Sequence, residues 1–396
     1  MSIISEPMAR SMSFFHVASK SSFAIGDSQT LPFLGSYIKD APILIYDLSE
    51  QLLFYDFMYH KDDHYVGRVR VAAESNLSSA VYSIETIVDF PDLSDIERRA
   101  HEELAKVEKI DNILGSTLVC YSYPKLGLKI KYQVKGKQKT AIYDIYENYL
   151  VASFEGDLPD LPEAGREQID EPEGITVYSI MGNLLKGIDA WSPVAGEYRN
   201  LIRISSEILP EFGKAPDLEF TDADYAKLVD YFGKQPPSIK TSMLPIQLVG
   251  QQTPVYCAIA SAKMILDFYG FSFTQDQIAD AMHVGPQGTT NKDQISGYKQ
   301  LSNNKLLPEF DDTPEFKEAM QMIDSLVPMK SGVPGHARVC RGWKKFTYFS
   351  PMTAEVQKEE LWLLINDPYP VGQGSIRWEN MDNHNYLNFI FLKRAT

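Results

Sequence analysis

The stretch from Gln251 to Gly270 constrains this chain most, because it sets a cysteine where a loop runs into an apolar helix. From Ala258 onward the residues are mostly small or apolar, and Gly270 stands where a helix commonly ends. A thiol at the start of a helix lies near the positive end of the helix dipole, which favours the thiolate. The pattern therefore predicts a nucleophilic Cys257 at the beginning of a buried helix.

A nucleophilic thiolate needs a base and a group that orients the base, and candidates for both follow later in the chain. His336, in a Gly-His-Ala-Arg-Val segment, is the candidate base. Asp367 ends an apolar segment just before a proline and is the candidate orienting acid, with its neighbour Asn366 as the alternative. Gln251 precedes Cys257 by six residues, so its side-chain amide is the candidate oxyanion donor. Such a donor typically contributes ~3–4 kcal/mol to transition-state stabilisation.

Taken together, these motifs resemble those of papain-like cysteine peptidases, and most closely the branch of bacteriocin-leader (double-glycine) peptidases. The resemblance covers roughly residues 244–393 and rests on Gln-x5-Cys-Ala-x-Ala, Gly-His-Ala-x-Val and the apolar segment ending in Asp-Pro. It implies Cys257 as nucleophile, His336 as base, Asp367 as orienting acid and Gln251 as oxyanion donor. It implies no metal and no organic cofactor.

The chain departs from the family pattern at two positions. The branch often has glycine after the cysteine, where this chain has Ala258. Classical papains use asparagine as the orienting residue, and Asn366 stands beside Asp367. The aspartate before proline matches the leader-peptidase branch, which favours Asp367 for this role.

Three other polar sites are weighed against the main site. His283 competes as a base, but its place at a helix end before Val-Gly-Pro is more typical of a capping or core residue. The Gly-Thr-Thr sequence at 288–290 also matches the family pattern, and it either borders the substrate groove or forms an interhelical turn. His60 and His64 are predicted to lie in a charged turn between strands, where a metal site is not expected.

Composition limits the classes of partner. The 396 residues carry a formal net charge of −15, whereas nucleic acids and anionic membranes bind clustered Lys and Arg, so a peptide or protein substrate is expected instead. Three cysteines, an odd and low number, argue against a disulfide framework and indicate a reducing, cytoplasmic setting. The sequence shows no secretory signal pattern, no membrane-spanning stretch and no Gly-rich phosphate loop. It does not specify an oligomeric state.

The predicted fold class is α+β, with a C-terminal papain-like domain preceded by a separate α+β N-terminal domain. Residues 1–40 are predicted to be an irregular surface extension, and 41–155 an α+β domain of propeptide-like or regulatory type. Residues 156–240 are predicted to be an acidic, Pro-rich linker followed by a helical connector. Residues 241–396 are predicted to form the peptidase domain, with the cysteine helix packed on an antiparallel sheet.

Residue patterns also predict individual elements of secondary structure. Alternating or short apolar runs predict strands at 41–47, 51–60, 65–73, 116–123, 128–134, 139–146, 336–342, 360–366 and 386–393. Helices are predicted at 95–110, 221–232, 274–282 and 292–303. Their predicted starts are capping boxes at Ser94 and Thr274 and an N-cap at Thr221.

The leading functional interpretation is a papain-like cysteine hydrolase that cleaves peptide or amide bonds. One alternative is a catalytically silent peptide-binding module of the same fold, which the intact Cys257, His336 and Asp367 argue against. Another is an acyl transferase with the same triad, which differs from a hydrolase only in the acceptor that reaches the acyl-enzyme. The size of residues 1–240 adds the hypothesis that this front half covers the groove and keeps the enzyme latent.

Overall fold

A computed structural model describes most of the chain outside its middle. The described residues are 3–21, 33, 35–74, 77, 80–86, 90–155, 172–173, 220–286, 288–333, 335–350, 352–381 and 386–395. Apart from Pro172–Glu173, the predicted acidic linker and the first part of the connector lie outside these residues.

The described front half is built mainly from antiparallel strands with two helices. Its elements are α1 (Glu6–Ser21), β1 (Tyr37–Ile38), β2 (Ile43–Tyr46), β3 (Leu52–Lys61), β4 (His64–Ala72), β5 (Val81–Thr86), α2 (Leu93–Val107), β6 (Asn112–Ser122), β7 (Lys125–Val134), β8 (Lys137–Asp144), β9 (Leu150–Glu155) and β10 (Pro172–Glu173).

The second half begins with helices and continues mainly with strands, as predicted. Its elements are α3 (Asp222–Lys234), β11 (Ser238–Met243), α4 (Cys257–Phe268), α5 (Gln275–Ala281), β12 (Thr289–Thr290), α6 (Asn291–Leu301), β13 (Leu306–Asp311), α7 (Phe316–Asp324), β14 (Met329–Val333), β15 (His336–Phe349), β16 (Val356–Asp367), β17 (Ser375–Asn380) and β18 (Asn388–Arg394).

Local capping chemistry explains where several helices begin. Thr221 and Thr274 both cap their helices through complete capping boxes, which confirms the predicted starts. Helix α2 differs, because its N-cap is Asp92, whose side chain accepts a hydrogen bond from the backbone N–H of Ser94. The predicted box at Ser94 is therefore wrong by two residues, and an aspartate before the helix serves as its cap.

The prediction of an irregular surface extension is wrong for Glu6–Ser21, which form helix α1. Most of this helix is buried, including Ser11, Ser13 and Ser19, which are hydrogen bonded inside the protein. Ser11 donates to the carbonyl of Pro7 at 2.8 Å, and the Ser13 and Tyr59 hydroxyls lie 2.7 Å apart. Because buried hydroxyls with partners are tolerated in a core, the polar composition of this segment concealed its burial.

Sixteen strands of the described chain form one hydrogen-bonded sheet. Strand pairing joins the two halves where β17 runs antiparallel to β5, with Ile376 opposite Thr86 and Glu379 opposite Ser83. The fold is α+β, as predicted, with an α+β region before the peptidase-like region, and the two regions share this sheet.

The sheet of the second half is covered on both faces. Successive residues of β16 point to opposite faces, so Leu363 and Ile365 join a core with the cysteine helix, whereas Trp362 and Leu364 join the core of the front half. Helix α1 contributes a buried ion pair on the second face, where Lys20 Nζ lies 2.6 Å from Glu360. The front half is thus part of the packing of the strands that carry the candidate site.

No helix in the described part of the chain is long and apolar enough to cross a membrane.

Candidate active site

Cys257 is the first residue of helix α4 and is only 1% exposed. Its side chain packs in a small cluster with Ala258 and with Ala337, the residue that follows His336. The N-cap residue, Tyr256, makes no side-chain hydrogen bond to the helix, so the first backbone N–H groups are not capped in that way. The packing of α4 against β14 and β15 therefore places the predicted nucleophile against the residue that follows the predicted base.

His336 and Asp367 are both fully buried and joined directly. His336 begins β15, Asp367 ends β16, and His336 Nε2 lies 2.7 Å from Asp367 Oδ1. The other ring nitrogen, Nδ1, has no hydrogen-bond partner among the described residues. With the carboxylate ionised, we assign the imidazole proton to Nε2, which leaves the Nδ1 lone pair available as a proton acceptor.

The alternative orienting residue, Asn366, is engaged elsewhere. Its amide nitrogen donates to the carbonyl of Ile246 at 3.1 Å. Its amide oxygen accepts from Arg341 Nε at 2.7 Å. The geometry thus couples Asp367, and not Asn366, to His336.

Electrostatics hold the two buried groups in complementary charge states. Burial lowers the pKa of His336 to about 4, against the opposing effect of Asp367 and with a smaller contribution from Lys125 of the front half. Burial by itself raises the pKa of Asp367, but His336 and Arg377 outweigh it and hold that pKa well below its usual range. At neutral pH the pair is therefore a carboxylate and a neutral imidazole, the form of histidine that accepts a proton.

A buried arginine, which sequence reasoning missed, supports Asp367 from the next strand. Arg377 Nη2 donates to Asp367 Oδ2 at 2.5 Å and to Ser375 Oγ at 2.9 Å. On its other side, Arg377 Nη1 lies 3.4 Å from Glu85 Oε1, on β5 of the front half. Arg68 Nε in turn donates to Glu85 at 2.5 Å, so a chain of buried charges crosses the junction between the halves.

Gln251 lies in a loop held by hydrogen bonds on both sides. Its backbone N–H donates to the carbonyl of Pro368 at 2.9 Å, and its carbonyl accepts from the N–H of Gly372 at 2.8 Å. Gln275, which is 3% exposed, donates to the carbonyl of Gly250 at 2.8 Å and accepts from the N–H of Gln252 at 3.0 Å. Gln275 thereby fixes the residues on either side of Gln251, a role that its sequence position gave no sign of.

Gly250 allows this loop to approach the chain after Asp367. A Cβ atom at Gly250 would lie 2.5 Å from the backbone nitrogen of Gln373 and 2.6 Å from the carbonyl carbon of Gly372. We expect Gly250→Ala to destabilise the protein by about 1–3 kcal/mol in urea unfolding, because backbone has to move. Gly233→Ala is the control, since that glycine lies in α3 and, apart from the neighbouring backbone of its own helix, no atom lies within 4 Å of the added carbon. Equal stability of the two variants would contradict the close approach.

The side chain of Gln251 is directed at a group from the front half. Its Nε2 donates to Glu147 Oε1 at 2.7 Å and, more weakly, to the carbonyl of Pro254 at 3.4 Å. Glu147 follows β8, and Tyr149, two residues on, lies close enough to Cys257 for the thiol to affect its ionisation. Burial, followed by the charges of Asp144 and Glu147 and then that of Cys257, raises the pKa of Tyr149.

The competing polar groups have other surroundings. His283 is 69% exposed, and its Nδ1 lies 3.4 Å from Asp293. Thr290 is the N-cap of α6, so at least this residue of the Gly-Thr-Thr segment has a structural role. The described residues contain no group of three or more His, Cys, Asp or Glu side chains placed to hold a metal. Cys120 and Cys340 are fully buried, and burial raises the pKa of each thiol to about 12.

Comparison with known proteins gives a match over the second half of the chain. Residues 243–390 match the Peptidase_C39 like family. One similar solved structure is a double glycine motif protease from an AMS/PCAT transporter in complex with the leader peptide, with 14% identity over 39% of this chain and 95% of that chain and a TM-score of 0.27. Another is the peptidase domain of Streptococcus ComA, a bi-functional ABC transporter involved in a quorum sensing pathway. It is 17% identical over 38% of this chain and 99% of that chain, with a TM-score of 0.29. No curated protein matches the chain.

Proposed function

Because residues 243–390 belong to the Peptidase_C39 like family, a family of cysteine peptidases, we propose that this chain is a cysteine hydrolase acting on peptide or amide bonds. The membership confirms the family resemblance drawn from the sequence. In this proposal Cys257 is the nucleophile, His336 the base, Asp367 the orienting acid and Gln251 the oxyanion donor.

The proposed reaction proceeds through a thioester. Cys257 Sγ attacks the substrate carbonyl carbon while His336 Nδ1 takes the thiol proton, and the carbonyl oxygen becomes an oxyanion. The Gln251 amide and the backbone N–H of Cys257 donate hydrogen bonds to that oxygen. His336 then gives its proton to the leaving amine as the carbon–nitrogen bond breaks, and water hydrolyses the thioester by the reverse proton transfers. Asp367 keeps the proton of the imidazole on Nε2 throughout.

One observation carries the proposal more than any other. The 2.7 Å contact between His336 Nε2 and Asp367 fixes the imidazole, while Nδ1 has no hydrogen-bond partner in the described chain and Cys257 packs against the adjacent Ala337. A ring nitrogen that is open, on a histidine whose other nitrogen is fixed by a carboxylate, is suited to take a proton from a nearby thiol.

The pH dependence of thiol alkylation tests the pairing. We expect Cys257, followed by peptide mapping after iodoacetamide treatment, to retain much of its rate below pH 7, because a thiolate paired with a protonated histidine persists below the pKa of a free thiol. The comparison with His336→Ala is decisive, since restricted access slows the reaction of both proteins alike. His336→Ala is expected to abolish the reactivity of Cys257 below pH 7. Cys257→Ala is expected to abolish alkylation at this position at every pH.

Cys120 and Cys340 serve as internal controls in the same experiment, because both are buried thiols with raised pKa values. A Cys257 profile that follows an ordinary thiol, with a midpoint near pH ~8.5, and that is identical in His336→Ala would contradict the proposal.

The proposal also includes latency imposed by the front half, residues 1–240. Support comes from the burial of Cys257, His336 and Asp367 and from the contact between Glu147 and Gln251. A substrate carbonyl has to reach Cys257 and the amide of Gln251 together, so a front-half group on that amide restricts access.

A further inference from the structure

The turn formed by residues 144–149, between β8 and β9, is built to present one side chain. Asp144 Oδ1 accepts hydrogen bonds from the backbone N–H groups of Tyr146 at 2.9 Å and of Glu147 at 2.7 Å. Asn148 completes the turn with a φ of 57°, a value that asparagine tolerates better than most residues. The backbone of the 144–149 turn is thus fixed from within, and Glu147 projects from a rigid support.

The 144–149 turn contacts the candidate site at two places. Glu147 Oε1 accepts from the Gln251 amide at 2.7 Å. The Tyr369 hydroxyl, two residues beyond Asp367, lies 3.0 Å from Asp144 Oδ1, and its ring meets the edge of Tyr146 at a centroid distance of 5.6 Å. The turn therefore contacts both the loop that holds Gln251 and the segment that follows the end of β16 at Asp367.

The Glu147 contact has a specific chemical consequence for the proposed reaction. An amide N–H that donates to one oxygen at 2.7 Å cannot at the same time donate to another along the same direction. A carboxyl oxygen on that N–H therefore competes with the substrate oxygen. The other carboxyl oxygen, Oε2, is buried and has no hydrogen-bond partner in the described chain, so Glu147 does not owe its position to a second polar contact.

We propose that Glu147 is a built-in blocking group: its carboxyl occupies the amide of Gln251 and keeps the site closed until the 144–149 turn is displaced. This inference rests on the proposed function, in which Gln251 is the oxyanion donor. It attributes latency to one side chain and one turn of the front half, and not to coverage of the substrate groove by residues 1–240 as a whole.

The charge state of Glu147 supplies a matched pair of variants. Burial, together with the nearby carboxylates of Asp144 and Asp367, raises the pKa of Glu147 to about 8, although Lys125 and the Gln251 hydrogen bond oppose the shift. At pH 7 the blocking group is then largely a neutral carboxylic acid. Glutamine is close to that acid in shape and keeps a carbonyl acceptor, whereas alanine removes the acceptor altogether.

The test is the alkylation rate of Cys257 by iodoacetamide at pH 7 in the full-length chain. We expect Glu147→Ala to raise the rate tenfold or more and Glu147→Gln to leave it within about threefold of the unmodified chain. Asn148→Gly is the control for disturbance of the turn, because glycine adopts the same φ and the carboxyl remains. Thermal unfolding of all three variants verifies that faster labelling does not reflect loss of the fold.

Each contrary result has a definite meaning. The inference is overturned if Glu147→Ala labels no faster than the unmodified chain, if Glu147→Gln accelerates as much as alanine, or if Asn148→Gly does so. Adding His336→Ala separates the inference from the proposed function. A fast rate in Glu147→Ala that survives His336→Ala would sink the proposed pairing while the block stands. An unmodified chain whose labelling depends on His336 but not on Glu147 would retain the function and lose the block.

Discussion

Asp367→Asn is expected to lower the rate of peptide cleavage on the order of 10⁴-fold with the fold intact, because Arg377 donates to Oδ2 and would hold the amide oxygen of an asparagine there, with the amide N–H toward His336. An asparagine amide can present an N–H to His336 Nε2 in place of the oxygen now 2.7 Å away. The proton then moves to Nδ1, and the nitrogen that should accept the thiol proton is occupied. The measurement is the cleavage of a peptide selected from a random library, with Glu147→Ala present in every protein compared, the otherwise unmodified chain included, so that the proposed block is absent.

A matched aspartate is available as the control for this prediction. Asp324 also accepts an N–H, from Trp343 Nε1 at 2.9 Å, but it belongs to helix α7 and is not part of the proposed triad. Asp324→Asn is expected to cleave within about twofold of the unmodified chain. A loss of less than tenfold in Asp367→Asn, with unchanged thermal unfolding, would mean that Asp367 does not set the tautomer of His336.

Arg377→Met is expected to cost about 3–5 kcal/mol of the free energy of unfolding. It removes the cation between Asp367 and Glu85 and leaves both carboxylates buried without that partner. Arg377→Lys retains the charge and should recover part of the loss, although it cannot reproduce the paired geometry of a guanidinium. Urea unfolding with the linear extrapolation measures all three proteins.

An exposed arginine provides the comparison for Arg377. Arg98 forms ion pairs with Asp95 and Glu102 on the surface of α2, where it is 59% exposed. Arg98→Met is expected to change stability by less than about 1 kcal/mol, since exposed ion pairs contribute little. A loss below about 1 kcal/mol in Arg377→Met would show that Asp367 and Glu85 find other partners. The double variant Glu85→Gln/Arg377→Met tests whether the two residues are coupled. If it loses less free energy of unfolding than the two single variants lose in sum, the coupling is confirmed.

Sequence reasoning succeeded where the signal is local. The caps at Thr221 and Thr274, the helix that starts at Cys257 and the strand that ends at Asp367 all follow from residues a few positions apart. Local patterns could indicate that Cys257, His336 and Asp367 belong together only through a family resemblance. Spacing alone does not determine which strands become neighbours.

The features that sequence reasoning missed depend on contacts between distant parts of the chain. Strands β5 and β17 carry buried polar residues such as Glu85 and Arg377, so neither has the apolar alternation that predicts a strand. Their burial becomes understandable only when each charge is seen beside its partner. The hydrogen bond between Glu147 and Gln251 likewise joins residues 104 positions apart, and no local sequence pattern around Glu147 predicts it.

The shared sheet also limits how the activity that we propose could be controlled. Strand β5 borders β17, and the front half covers the face of β16 that bears Trp362 and Leu364. Proteolytic removal of the front half would therefore deprive the peptidase region of a neighbouring strand and expose aromatic core residues. We therefore do not expect the protein to be activated by such a cleavage. Moving only a short turn leaves the sheet whole and can be undone. Activation of this kind would be reversible. The site would open while a ligand holds the 144–149 turn away, and the same molecule would become inactive again when that ligand dissociates.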